Sequence, residues 1–213
     1  MTDGREDPIL IPGNRRVAAT LDEPAGDTEA CVVACPPHPQ FGGNRTDRRL
    51  TAVAEALTER GVAVLRIDYG DWDDGRGERE DVRNALRWAD ERYDRVGLYG
   101  FSFGGGMAAL AAASTDVDLC GVALLAPAAQ VAADLDPDET LSAIRAPVRL
   151  VVGERDTTAD WEPFREAAER IGASVATLAA DHFFVGQSET FAAAVGEFLS
   201  ERCRPARGRS EMV

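Results

Sequence analysis

Short apolar runs alternate with amphipathic segments along the 213-residue chain. The runs lie at 31–35 (within ACVVAC), VAVLRI (62–67), RVGLYG (95–100), GVALLA (121–126), VRLVVG (148–153) and SVATLA (174–179). Most are continuously apolar rather than alternating, which predicts strands buried on both faces of a parallel sheet. Between them the spacing turns helical. Leu50, Val53, Ala54 and Leu57 follow i, i+3, i+4, i+7, and Gly61 stands where a helix ends. Val82, Ala85, Leu86, Ala89 and Tyr93 repeat the pattern, as do Phe191, Ala194, Val195, Phe198 and Leu199 near the C-terminus. Ahead of the first long run, PILIPGNRRVAATLDEP reads as two short strands around a Pro-Gly-Asn turn, an antiparallel hairpin.

Strands alternating with helices predict an α/β fold with a mostly parallel, doubly wound sheet and right-handed crossovers. We expect one domain over residues 1–202 and a C-terminal tail over 203–213, where CRPARGRSEMV is rich in Arg and turn formers. The connections are short and leave no insertion large enough for a lid.

The segment RVGLYGFSFGGGMAALAAA places G-x-S-x-G, Gly100 to Gly104, between a buried-strand pattern and a run of small helix formers. In that setting the motif is a nucleophile elbow. It predicts Ser102 as nucleophile and the backbone N–H of Phe103 as an oxyanion donor at a helix N-terminus. The competing reading is a glycine-rich turn whose serine only caps the helix. A serine hydroxyl needs a general base, and the chain has only His38 and His182. The expected order of serine, acid, histidine selects His182, in AADHFFVG after the last strand pattern. Asp156, in VVGERDTTAD after the strand at 148–153, is the acid that would orient it. Glu154 and Asp160 compete, although Asp160 is expected to cap a helix starting near Trp161. Asp134, Asp136 and Asp138 follow an earlier strand.

PPHPQFGG follows the strand at 31–35 and is the expected source of the second oxyanion N–H. Pro39 has none to give, so Gln40 is the candidate and Phe41 the alternative, with His38 bracing the loop. Phe41, Phe101, Phe103 and Trp161 are candidates either to line an apolar pocket or to fill the core. The motifs HPQFGG, GFSFGG, GERD and DHFF, each after a strand, together with VLRIDYGDWDDGRGEREDVRNALRWADERY, resemble the α/β-hydrolase superfamily. The chain is most similar to its small capless branch of hydrolases related to dienelactone hydrolases, from about Pro12 to Leu199. Dienelactone hydrolases proper use a cysteine nucleophile, and Ser102 departs from that pattern. The resemblance implies hydrolysis of small ester or thioester substrates through an acyl-enzyme, with no metal or organic cofactor. An acyltransferase or perhydrolase with the same triad, or a non-catalytic ligand-binding protein, is the alternative.

Composition narrows the partners. The 37 acidic residues outnumber 23 basic ones, all arginine, for a formal charge of −14. That field opposes nucleic acid and anionic membranes, so the expected partner is a small-molecule acyl substrate. A Lys-free acidic chain is what a salt-rich, halophilic setting would favour, or a GC-rich genome writing Arg for Lys. MTDGREDP is acidic and polar rather than a secretory signal, and the expectation is a cytoplasmic protein. The acidic turn at Asp71, Asp73 and Asp74 lacks calcium-loop spacing and reads as solvated. Cys31 and Cys35 share a strand face too far apart for a disulfide, and all four cysteines, with Cys120 and Cys203, are expected to be reduced.

Overall fold

A computed structural model describes residues 8–131 and 136–204. Eight strands form one sheet: β1 (Ile9–Ile11), β2 (Val17–Asp22), β3 (Ala30–Cys35), β4 (Ala63–Ile67), β5 (Arg95–Phe101), β6 (Leu119–Leu125), β7 (Val148–Gly153) and β8 (Ser174–Leu178). Their spatial order is β1-β2-β4-β3-β5-β6-β7-β8. The N-terminal hairpin pairs antiparallel, with Ile11 opposite Val17, and β2 joins β4 antiparallel. Every pairing from β4 through β3 to β8 is parallel.

The helices are α1 (Arg48–Thr58), α2 (Arg76–Asp90), α3 (Phe103–Ser114), α4 (Pro137–Ala143), α5 (Glu162–Arg170) and α6 (Ser188–Cys203). Gly61, at φ +80°, closes α1: its N–H donates to Thr58 O, and that of Val62 to Leu57 O. Tyr93 lies three residues beyond α2 and packs against the core from the following turn. The short α4 has no counterpart among the sequence-based expectations.

Side chains alternate across the sheet into two cores. Cys31, Val33 and Cys35 face one, with Leu86, Met107 and Phe164 from α2, α3 and α5. Val32 and Ala34 face the other, with Leu50 and Leu199 from α1 and α6. Both faces of β3 are therefore dry, which explains its unbroken apolar run. Helix α3 is buried all round, so small residues line it and it carries no polar stripe. Among the described residues, no helix is long and apolar enough to cross a membrane.

The cysteines require a correction. Cys31 and Cys35 are free and buried as expected, and burial pushes the Cys31 thiol up to about 12 and Cys35 further still. Cys120 and Cys203, however, are joined in a disulfide, with Cα atoms 5.2 Å apart. The last turn of α6 lies on β6 and brings together residues 83 apart in sequence, which local spacing does not register. Cys203 is thus the end of α6, buried within the domain. Of the expected tail, 205–213 lie outside the described residues.

Candidate active site

The parallel strands all point the same way, so the loops after β3, β5, β7 and β8 gather along one edge of the sheet. Between β5 and α3 the chain turns at a single residue, Ser102, with φ +56° and ψ −119°. A non-glycine residue holds that conformation only when its surroundings over-determine it. Here they do. Ser102 N–H donates to Leu125 O at 2.9 Å, and its carbonyl accepts from Gly105 and Ala128 at 2.9 and 3.1 Å. A Cβ on Gly100 would sit 2.1 Å from Gly104 O, and one on Gly104 would sit 2.3 Å from Cys35 O. The elbow can close only because both are glycine.

The Ser102 hydroxyl makes no capping bond to α3, which removes the reading of a mere helix cap. Its Oγ lies 3.0 Å from His182 Nε2, and His182 Nδ1 lies 2.8 Å from Asp156 Oδ2. His182 is buried on the loop after β8, its ring centroid 5.2 Å from that of Phe101. Asp156 follows β7, and its side chain is fully buried. Its Oδ1 accepts from the N–H groups of Thr158 and Ala159 at 2.8 and 3.1 Å, leaving Oδ2 for the imidazole. These three carboxylate interactions hold Asp156 in position before any substrate arrives.

The competing acids go elsewhere. Glu154 is exposed. Asp160 does not cap α5, whose N-cap is Trp161 without a side-chain bond. Its Oδ2 instead accepts from Gln130 Nε2 at 3.2 Å, tying the loop after β6 to the loop after β7. Asp136 precedes α4 and accepts from Glu139 N–H, while Asp134 and the side chain of Asp138 lie outside the described residues.

The loop after β3 departs from expectation at the oxyanion donor. His38 caps the short 3-10 turn Pro39–Phe41, its Nδ1 accepting from Gln40 N–H at 3.3 Å. Phe41 N–H donates to His38 O at 3.1 Å. Both amides proposed from sequence are therefore turned into the loop, and Gln40 is exposed outside the cleft. Pro36, Pro37 and Pro39 carry no N–H. The N–H groups of His38 and Phe103 make no hydrogen bond among the described residues. The start of this loop lies against Gly104, as its contact with Cys35 and Pro36 requires.

An aromatic cluster that sequence reasoning missed supports both amides. The His38 ring lies 4.6 to 4.7 Å from those of Phe41, Trp72 and Phe103. Loss of solvation lowers the His38 pKa, against a smaller opposing pull from Glu78. Trp72 rides on the 68–75 loop, which Arg15 fastens from the N-terminal hairpin. Arg15 Nε donates to Asp81 Oδ1 at 2.8 Å, and its guanidinium also bonds Asp71 O. Buried Asp81 accepts from Gly70 N–H, and buried Glu78 from those of Asp73 and Gly75. The only sequence signal was the acidic turn, and its exposed members hid two buried carboxylates four and seven residues beyond Asp74.

The cleft around Ser102 has a volume of about 450 Å³. Phe41, Phe101, Phe103 and Phe183 line it, with the Asp47–Arg49 ion pair at 2.7 Å. Trp161 does not; it packs on the core and donates to Asp156 O. Among the described residues, no group of His, Cys, Asp or Glu is placed to hold a metal ion.

Comparison with known proteins gives the same architecture. No family model matches the chain. An uncharacterised 31.7 kDa protein of Escherichia coli, from the traX–finO intergenic region, is 34% identical over 90 residues. That match covers 36% of this chain and only 32% of the relative's length. Solved structures match nearly throughout. An α/β serine hydrolase homologue from Coxiella burnetii is 25% identical with a TM-score of 0.77, covering 91% of this chain and 97% of that one. A dienelactone hydrolase from Anabaena variabilis is also 25% identical, with a TM-score of 0.72 over 92% and 95% of the two chains. An α/β serine hydrolase without lid from Xanthomonas campestris is 22% identical, with a TM-score of 0.77 over 93% and 95%. The chain has the α/β-hydrolase fold in its lidless form, among serine hydrolase homologues and dienelactone hydrolase-like proteins.

Proposed function

We propose that this lidless α/β-hydrolase-fold protein is a serine hydrolase that cleaves small carboxylic esters or thioesters by acyl transfer to Ser102. The observation that carries the reading is the unbroken line from Asp156 Oδ2 through the His182 ring to Ser102 Oγ, at 2.8 and 3.0 Å. With its proton on Nδ1, donated to Asp156, His182 presents a bare Nε2 to the serine hydroxyl. As Oγ bonds the acyl carbon, Nε2 takes the serine proton, and the Asp156 carboxylate stabilises the imidazolium that results. His182 then returns that proton to the departing alcohol or thiol. A water attacking the acyl-enzyme repeats the sequence and frees the acid and Ser102.

The oxyanion needs donors that are not already used. We assign them to the N–H groups of Phe103 and His38, neither of which has an acceptor among the described residues. The N-terminus of α3 adds its dipole at the same point. The Gln40 amide is not assigned this role, because it already donates to His38 Nδ1.

A fluorophosphonate probe tests the reading. It should label the protein once, at Ser102, and Ser102→Ala should abolish labelling and lower ester hydrolysis by at least about a thousandfold. Folded wild-type protein that stays unlabelled would refute it.

A further inference from the structure

The chain has eight phenylalanines. Six are buried, and the two that are not, Phe41 at 87% and Phe183 at 52% exposure, both line the cleft around Ser102. Their loops follow β3 and β8, strands on opposite sides of β5 in the sheet, so they flank the elbow from two directions. Each is held out by local backbone rather than left loose. Phe41 ends the 3-10 turn closed on His38 O, with its ring 4.7 Å from that of His38. Next to Phe183, Phe184 takes a left-handed φ of +52° and turns fully inward, and Phe183 N–H donates to Asp181 Oδ1. A strained residue thus sends one ring of the pair into the core and leaves the other at the rim.

Exposed aromatic surface is costly to keep unless something covers it in use. The charged pair in the cleft does not call for an ionic partner: Asp47 and Arg49 neutralise each other, and the guanidinium lies over the Phe101 ring at 4.6 Å. At a net charge of −14 the chain as a whole repels anions. We propose that the site selects uncharged esters whose larger arm is aromatic or comparably bulky and apolar, held between Phe41 and Phe183. The assignment rests on the acyl-transfer reading of Ser102 given above.

The test compares para-nitrophenyl acetate with para-nitrophenyl phenylacetate and hemisuccinate, and methyl acetate with benzyl acetate, to probe each arm of the ester. In the wild type, kcat/KM for the aromatic member of at least one pair should exceed that of its small partner by about tenfold or more, the scale of one aromatic contact plus its buried area. In the double variant Phe41→Ala/Phe183→Ala that ratio should collapse toward one. Phe41→Leu/Phe183→Leu, which restores apolar bulk beside His182, should recover part of it. Both substitutions are at the surface, so the melting temperature should stay at the wild-type value.

A wild-type ratio near one in both pairs, with Ser102 still labelled by fluorophosphonate, overturns the proposal and leaves the hydrolase reading standing. Preference for the hemisuccinate also overturns it, and moves recognition to Arg49, whose Nε has no partner. So does a wild type that sediments as a dimer and a double variant that sediments as a monomer with the ratio unchanged, since a second copy would then cover the rings. Failure of both labelling and turnover removes the hydrolase reading itself, and the proposal with it.

Discussion

The His38 imidazole accepts the Gln40 N–H on one edge and lies against three aromatic rings. Both contacts suit the neutral ring, since a proton on Nδ1 would remove the acceptor and place a charge among partly dry rings. The sign of the pH effect follows. Because folding lowers the His38 pKa below its ordinary 6.5, the unfolded chain binds the proton first. The stability contributed by the neutral ring is complete above 6.5 and drains away as the pH falls from there toward the lower folded value. Melting curves between about pH 8 and pH 5 should show this loss in the wild type and less of it in His38→Asn. Asn keeps an acceptor for Gln40, whereas His38→Phe keeps an aromatic ring without one. If the bond positions the oxyanion loop, kcat should fall further in the Phe variant, by roughly tenfold, with KM little changed. Ser102, Asp156 and His182 were legible in the sequence because each follows a strand end in an order that the fold demands. The engagement of the Gln40 amide was not, because its direction depends on the His38 side chain two residues back. Asp160 misled for a related reason: position suggested a cap, but Gln130, from another loop, took its carboxylate.

Between the hairpin and α2 the 68–75 loop is fastened by charge. Removing Arg15 would leave Asp81 and Glu78 buried without their cation, and burial already raises the Asp81 pKa against the pull of that arginine. Arg15→Met should therefore destabilise the fold by about 3 kcal/mol, discounted somewhat because Arg15 is partly exposed. Urea unfolding would measure it. Trp72 rides on this loop, so Trp fluorescence should also report loosening near His38 under conditions where the fold persists. A stability change within error would mean that solvent replaces the arginine. Most elements could be read from the sequence: Pro-Gly-Asn marks the hairpin, and the dry faces of β3 to β7 leave continuous apolar runs. The short α4 could not, since its turns carry too few apolar positions to set a period. The Arg15 network was equally invisible, because its partners lie 56 to 66 residues away along the chain.

For the molecule as a whole, the charge of −14 carried without lysine makes self-repulsion the term most open to the solvent. If this composition suits high salt, raising KCl from about 0.1 M to about 2 M should raise the melting temperature, as repulsion is screened within a few ångströms. A flat or falling profile would point to genome composition instead. The Cys120–Cys203 bond acts on the same scale. Reduction, or Cys203→Ser, should cost about 3 kcal/mol and lower the melting temperature by roughly 5–10 °C, read by thermal denaturation with and without reductant. Unchanged melting would show that packing of α6 alone secures the C-terminus. The bond also decides how the protein answers a mechanical load. Tension on the C-terminus of a helix held only by packing peels it away turn by turn, and α6 leads back directly to the loop that carries His182. Here the pull is handed across at the last turn of α6 to β6, inside the sheet. The helix is left slack behind the anchor, and the imidazole stays in register with Ser102 until the sheet itself gives way.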